Sequence, residues 1–110
     1  MGFDLLAAET VLSMKEMYSD ITLVAAVPYR GQCEKFTPYN KQRYHNILSK
    51  ADKVVILKEN YANSCFLRRN DYMLSCSGHL IAYFDGVPQG GTYYTFKRAK
   101  QRGMPVVNLF

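Results

Sequence analysis

Residues 80–102 read LIAYFDGVPQGGTYYTFKRAKQR, and this stretch decides the predicted fold class. The apolar run at residues 80–84 predicts a strand, and a helical pattern closes the stretch. Between them, Gly90 and Gly91 let the backbone come close to a ligand, with the free N–H groups of the helix facing it. Partial positive charge at a helix N-terminus favours phosphate, and the Thr92 hydroxyl suits a phosphate ligand or an N-cap. The alternative is an ordinary connection in which Thr92 is only a cap.

Helix and strand patterns alternate along the whole chain and predict one domain spanning residues 1–110. The predicted helices run from Asp4 to about Tyr18, from Thr37-Pro38 through Ala51, from Ser64 to about Cys76 and from Tyr93 to Arg102. The predicted strands are residues 21–27, 54–57, 80–84 and 105–109. Because the strands are apolar throughout and a helix separates each from the next, they indicate a parallel sheet. The predicted fold class is therefore α/β, a Rossmann-like parallel sheet with helices on both faces.

Composition excludes several classes of protein. With 48% hydrophobic and 21% charged residues among 110, the chain is globular rather than disordered. No apolar run approaches the roughly 20 residues that a membrane-spanning helix needs, and no secretory signal is visible. Cys33, Cys65 and Cys76 are odd in number and lack CxxC spacing, which predicts free thiols in the cytoplasm. His45 and His79 have no ligand at metal spacing, so we expect no metal site. We also expect no cofactor.

The net charge of +5 favours anionic partners, or it is a margin for solubility. Much of it lies on the predicted last helix, at Lys97, Arg98, Lys100 and Arg102. Such a run is typical of a solvated helix face near its C-terminus. Nucleic-acid binding by this helix is less favoured than nucleotide binding, because the sequence shows no basic stripe interleaved with aromatic residues.

Ligands of parallel α/β sheets gather at the carboxyl ends of the strands, which selects four segments of this chain. They are residues 2–4, residues 28–32, residues 58–63 with the following Arg68, Arg69 and Asn70, and the glycine turn. Tyr29 and Tyr61 offer rings on which a base stacks, or they are plain packing residues. An arginine offers a charged fork for phosphate, and Asn or Asp side chains suit ribose hydroxyls. Together these groups predict a nucleotide site.

The candidate residues also have purely structural explanations. Asp4 is suited to cap the first helix, and Asp85 to hold a turn. Arg69 has Asp71 or Glu59 as a surface ion-pair partner, which contributes little stability. No nucleophile and base are visible at a usable spacing, so the sequence does not favour a hydrolase with a catalytic Ser or Cys.

Four short motifs follow one another along the chain: GFDLLAAE at residues 2–9, PYRGQ at residues 28–32, Arg69-Asn70, and GGTYYT at residues 90–95. They resemble motifs of the SLOG superfamily, and more narrowly of its small YpsA-like branch. The first is similar to the G-x-D-xx-AA-E element and the second to the P-[FY]-x-G-Q loop. The third falls where the superfamily carries an R-N pair, and the fourth is similar to the G-G-T-x-Y-T turn. The resemblance, from Gly2 to about Val107, implies a Rossmann-like domain related to the cytokinin-activating phosphoribohydrolases and to DNA-processing protein A. Together with the strand-end argument, it implies ligand-binding roles for Gly2, Asp4, Pro28, Tyr29, Arg69, Asn70, Asp85, Gly90, Gly91 and Thr92.

Two departures separate this chain from the phosphoribohydrolase branch. There the turn reads P-G-G-x-G-T-x-x-E with a catalytic glutamate, and Thr95 aligns with that glutamate here. Threonine cannot act as the carboxylate that stabilises an oxocarbenium-like centre or activates water. The family also has a strand, a helix and a second strand before the G-x-D element, with which this sequence begins. A missing strand leaves an unpaired edge and apolar surface, so we expect a homodimer or higher oligomer.

The sequence therefore predicts a cytoplasmic module that binds a nucleotide or a nucleotide-derived signal without catalysis. The phosphates lie over the glycine turn, with Arg69 as the charged clamp. One alternative is a nucleotide N-glycosidase or phosphoribohydrolase that uses an acid from elsewhere, Asp4, Glu9 or Asp85. The other alternative is a DNA- or protein-interaction module, suggested by the basic last helix.

Overall fold

The computed structural model describes residues 2–110 and confirms the α/β class. Its α-helices are α1 (Gly2–Lys15), α2 (Pro38–Lys50), α3 (Cys65–Ser75) and α4 (Gly90–Gln101). Its strands are β1 (Val24–Val27), β2 (Lys53–Ile56), β3 (Leu80–Ala82) and β4 (Val106–Asn108), and a 3₁₀ turn spans Gln32–Lys35. The strands pair in parallel and alternate with helices, as in a Rossmann-like fold. The chain divides into two compact units, one ending at Tyr61 and one beginning at Ala62.

The first unit is built on β1 and β2, which form a two-stranded parallel sheet. The register runs from Val24 opposite Lys53 to Val27 opposite Ile56. α1 packs against α2. The buried apolar side chains of this unit are Leu5, Val27, Cys33 and Ile47.

An ion pair joins the C-terminal end of α1 to the residue before β2. Lys15, in the last turn of α1, pairs with Asp52, which directly precedes β2. Asp52 also accepts a hydrogen bond from the Leu23 N–H at 2.7 Å, just before β1. The C-terminal end of α1 therefore lies at the amino ends of both strands.

The second unit is built on β3 and β4, again a two-stranded parallel sheet, in which Leu80 lies opposite Val106. α3 packs against α4, and α4 also contacts both strands. The ring of Phe84 lies 4.8 Å from the ring of Phe96, centroid to centroid. The buried apolar side chains of this unit are Cys65, Leu74, Ala82 and Ala99.

Two helix starts follow the predicted residues. Thr37 caps α2, because its Oγ1 accepts a hydrogen bond from the Asn40 N–H at 3.3 Å, and Pro38 holds the first helical position. Ser64 precedes α3 as predicted, although its side chain makes no capping hydrogen bond. Local sequence alone therefore places both helices.

The other two helix starts differ from the prediction. α1 begins at Gly2, so Asp4 lies inside the first turn and is not the N-cap. α4 begins at Gly90 rather than at Tyr93, so Thr92 is its third residue and not its cap. In both cases the helix begins earlier in the chain, at residues that precede the pattern of apolar side chains.

The strands are three or four residues long, shorter than the predicted runs. Apolar patterning reports burial, and it continues into flanking residues that lie outside the paired ladder. Leu57, for example, donates its N–H to the Val27 carbonyl at 3.0 Å just after β2 ends. Among residues 2–110, no helix is long and apolar enough to span a membrane.

Candidate functional site

The turn between β3 and α4 is held by its own backbone and by one carboxylate. Asp85 Oδ1 accepts a hydrogen bond from the Val87 N–H at 2.9 Å, and the Gln89 N–H donates to the Val87 carbonyl at 2.7 Å. Gly86 and Gly90 have φ values of +87° and +88°, in the left-handed region that favours glycine. One oxygen of Asp85 is therefore engaged within the turn.

The first turn of α4 presents backbone N–H groups without a side-chain cap from the residue before it. Gln89 occupies the N-cap position in an extended conformation, and its side chain makes no capping hydrogen bond. Gly90, Gly91 and Thr92 are exposed. The first four N–H groups of a helix have no partner within the helix, and the helix dipole favours an anion there.

Asn70 of α3 lies against this turn and is bonded to Arg69, and both are predicted site residues. Arg69 Nε donates a hydrogen bond to Asn70 Oδ1 at 2.8 Å. A Cβ placed on Gly91 would lie 3.6 Å from Asn70 Nδ2, so the amide lies against the turn. The second unit therefore brings the predicted R-N pair beside the predicted glycine turn.

The two acids considered as partners for Arg69 form ion pairs with other arginines. Asp71 pairs with Arg98 at 2.9 Å and accepts a hydrogen bond from the Tyr94 hydroxyl at 3.0 Å. The bond to Asp71 raises the pKa of the Tyr94 hydroxyl. In the first unit, Glu59 pairs with Arg30 at 2.8 Å, which lowers the pKa of the Glu59 carboxyl. One of the five N–H donors of the Arg69 guanidinium is hydrogen-bonded to Asn70.

An open groove of about 650 Å³ runs from the glycine turn along α4. It is lined by Gly90, Gly91, Tyr93, Tyr94, Lys97, Arg98 and Gln101 of α4, and by Leu67 of α3. Of the predicted site residues it includes the two glycines. The other lining residues were missed by the sequence predictions. Those on α4 recur three to four residues apart, which is the spacing of one helix face and was visible in the sequence.

Aromatic and cationic side chains pair with one another along α4. Lys97 Nζ lies 5.8 Å from the centroid of the Tyr93 ring, and the Arg98 guanidinium lies 5.2 Å from that of Tyr94. Lys100 Nζ lies 5.4 Å from the ring of Phe96. All three pairs are four residues apart, so the helix brings aromatic rings beside basic side chains that follow them in the sequence.

The first unit places another group of predicted residues after its strands. The side chain of Pro28 is fully buried, so a ligand reaches that residue only through its backbone. The rings of Tyr29 and Tyr61 meet edge to face, with centroids 5.5 Å apart. The Arg30 N–H donates to the Lys58 carbonyl at 2.9 Å, joining the two loops. Gly2 and Asp4 are exposed in the first turn of α1.

Glu9, one of the acids weighed for catalysis, is held by an arginine. Arg43 donates to both carboxylate oxygens of Glu9, at 2.6 Å and 3.1 Å. The hydrogen bond with Arg43 lowers the pKa of the Glu9 carboxyl. A carboxyl that stays ionised in this way is poorly suited to donate a proton at neutral pH.

Thr95 lies half-buried on α4, at the position aligned with the catalytic glutamate of the phosphoribohydrolases. Its Oγ1 is buried and has no hydrogen-bond partner among residues 2–110. The same part of the chain contains no group of three or more His, Cys, Asp or Glu side chains that could hold a metal ion.

Comparison with known proteins identifies the family. The family model named YpsA, which is described as the YspA SLOG family, matches residues 1–105 of this chain. The chain belongs to this YpsA SLOG family. A UPF0398 protein of Bacillus cereus strain B4264 is 33% identical over 105 residues, covering 94% of this chain and 57% of the relative. UPF0398 proteins of Halalkalibacterium halodurans and Bacillus velezensis are 32% and 28% identical, covering 93% and 99% of this chain and 55% and 63% of the relatives. The chain thus spans less than two thirds of the length of these relatives.

Proposed function

We propose that this YpsA-family chain binds a nucleotide or a nucleotide-derived ligand, without catalysis, at the glycine turn before α4. The observation that carries the proposal is the juxtaposition of Arg69 and Asn70 with Gly91 at an uncapped helix start. It combines backbone donors, a guanidinium and a side-chain amide in one place, which is a combination suited to phosphate and ribose.

Phosphate binding is supported by the conformation of the turn. Gly90 has φ of +88°, and no heavy atom lies within 4 Å of the position that its Cβ would occupy. The backbone is therefore open to a ligand on that side. The N–H groups of Gly90 and Gly91, together with the Thr92 hydroxyl, provide donors for phosphate oxygens.

Arg69 supplies the charge in this proposal. Its hydrogen bond to Asn70 holds the guanidinium beside the turn at little further cost in side-chain entropy, since the fork is already oriented. The remaining donors of the fork suit two oxygens of one phosphate.

The rest of the ligand occupies the groove along α4. Tyr93 and Tyr94 offer aromatic surface for a base, and Lys97 offers a second positive charge. The lack of catalysis is supported by Thr95, which replaces a carboxylate, and by Glu9, whose two carboxylate oxygens both accept hydrogen bonds from Arg43.

The test compares two neighbouring arginines. Arg69→Ala is expected to lower the affinity for AMP or ADP at least about tenfold, which is about 1.4 kcal/mol, as for a charge-assisted contact. Arg68→Ala is the matched control, because Arg68 precedes it on α3, is exposed and carries the same charge. Isothermal titration calorimetry measures both. Equal affinities of the two variants would remove Arg69 from the site.

We also propose that the chain is a homodimer or higher oligomer in the cytoplasm. Support for self-association comes from β3 and β4, where Ile81 lies opposite Val107 and the two side chains are 63% and 54% exposed. An apolar sheet face of this kind is suited to bury itself against a second copy. The cytoplasmic assignment rests on the free thiols Cys33, Cys65 and Cys76.

A second candidate ligand is single-stranded nucleic acid, and the α4 pairs of aromatic and basic residues favour it. Bases stack on aromatic rings while lysines contact the backbone, and such binding weakens steeply with salt. An affinity for a single-stranded oligonucleotide that falls with added salt and exceeds that for ADP would favour this candidate over the first.

A further inference from the structure

A cysteine and a histidine meet in the first unit, away from the glycine turn in sequence. Cys33 Sγ lies 3.6 Å from His45 Nε2, within hydrogen-bond distance for sulfur. The two residues are 12 positions apart, one on the 3₁₀ turn and one on α2, so no local sequence motif indicates their contact. The sequence showed no nucleophile and base at a usable spacing, and the fold brings this pair together.

The geometry of the pair is fixed from both sides. The 3₁₀ turn follows Gly31, which has φ of +87°, and the side chain of Cys33 is only 8% exposed. On α2, the Tyr44 ring packs edge-on against the His45 ring, with centroids 5.6 Å apart. The Phe36 ring packs in the same way against Tyr44 at 5.6 Å. A nucleophile held beside a base that a third group orients is the arrangement that activates thiols.

We propose that Cys33 is a reactive thiol, activated by His45 and modified by small hydroperoxides. The thiol proton passes to His45 Nε2, and the thiolate sulfur attacks one peroxide oxygen. A sulfur–oxygen bond forms as the oxygen–oxygen bond breaks, and the leaving hydroxide or alkoxide takes the proton from the imidazolium to become water or an alcohol. Sulfur loses two electrons to give a sulfenic acid, and the hydroperoxide, the named oxidant, gains them.

The other two cysteines differ from Cys33 in the groups around their sulfur atoms. Cys65 is 0% exposed and lies in the core of the second unit. Cys76 is exposed, and its sulfur contacts the Ser75 hydroxyl at 3.8 Å and bonds to the Tyr72 hydroxyl. Neither a serine nor a tyrosine hydroxyl is a base at neutral pH, so Cys76 serves as an accessible thiol without a neighbouring base. One chain thus contains the test residue and two internal references.

The test follows the oxidation of each thiol by hydrogen peroxide at neutral pH. After quenching, the protein is unfolded, the remaining thiols are alkylated, and each cysteine peptide is quantified by mass spectrometry. An ordinary cysteine is a thiolate to only a few per cent at pH 7, and the gain from full deprotonation is partly offset by lower nucleophilicity. We therefore expect His45→Gln to slow the oxidation of Cys33 at least about threefold, with Cys76 unchanged.

The matched control is His79→Gln, which replaces the other histidine, also exposed, and is expected to leave Cys33 unaffected. The oxidation of Cys65 serves as a control for folding, because this thiol stays unreactive as long as the core is intact. An unchanged Cys33 rate in His45→Gln overturns the proposal. Should that variant unfold, the unsubstituted protein decides: Cys33 reacting more slowly than exposed Cys76 overturns the proposal, and reacting faster despite its burial supports it.

Discussion

Replacing Gly90 by alanine should destabilise the protein through its backbone alone. Gly90 has φ of +88°, and an added Cβ would meet no heavy atom within 4 Å, so no clash contributes. An L side chain in the left-handed region costs about 1–2 kcal/mol. For a domain of this size, about 1 kcal/mol shifts the melting temperature by roughly 4 °C, so we expect a decrease of about 4–8 °C.

Gly91→Ala is the matched variant, with the opposite expectation. Gly91 has no positive φ, and its added Cβ would lie at an ordinary contact distance of 3.6 Å from Asn70 Nδ2. Alanine favours a helix over glycine by up to about 1 kcal/mol, and less in a first turn, so the melting temperature should stay equal or rise slightly. A methyl group on this surface should nevertheless weaken nucleotide binding, since the ligand approaches the backbone there.

Thermal unfolding followed by circular dichroism measures both variants under the same conditions. Gly90→Ala is expected to melt below the unsubstituted protein, and Gly91→Ala is not. If Gly90→Ala melted at or above the unsubstituted protein, the left-handed start of α4 would be refuted. Equal losses in both variants would show that the turn tolerates no side chain at either position.

Two further predictions concern stability at low pH and assembly. The hydrogen bonds from Lys15 and Leu23 lower the pKa of the Asp52 carboxyl in the folded protein. These bonds therefore stabilise the folded state fully above the ordinary pKa of about 3.9, and that stabilisation is lost as pH falls through the lower folded-state pKa. The difference in melting temperature between the unsubstituted protein and Asp52→Asn should therefore shrink below about pH 4, and a constant difference down to about pH 2 would contradict it. For assembly, light scattering should give at least twice the chain mass of 12.6 kDa, and Ile81→Lys should lower it toward that mass. Met17→Lys, at a residue 79% exposed on the other unit, should leave the mass unchanged, and a monomeric unsubstituted protein would reject the oligomer.

Much of the fold could be predicted because its determinants are local. Thr37 and Pro38 define the start of α2 by a capping oxygen and a fixed φ, and the structure confirms both. Gly103, with φ of +70°, follows α4, whose predicted end at Arg102 lies one residue beyond the observed end at Gln101. Strand ends were less predictable, because an apolar side chain signals burial whether or not its backbone belongs to the ladder.

The candidate site was predictable only where a motif carried it. The glycine turn and the Arg69-Asn70 pair were named from the sequence, and the structure places them side by side. The extension of α4 back to Gly90 was missed, because glycines carry no helical signal. The contact of Cys33 with His45 was also missed, since it depends on how the 3₁₀ turn packs against α2 and on no spacing within the sequence.

The most direct test of the central proposal is an amide chemical-shift titration of the isotope-labelled chain with ADP, with inorganic phosphate as a comparison. The proposal predicts that ADP shifts the amide signals of Gly90, Gly91 and Thr92 together with those of Arg69 and Asn70. Inorganic phosphate should shift the glycine-turn signals more weakly and leave those of Tyr93 and Lys97 in place. Unchanged glycine-turn signals at millimolar ADP, or shifts confined to other parts of the chain, would contradict it.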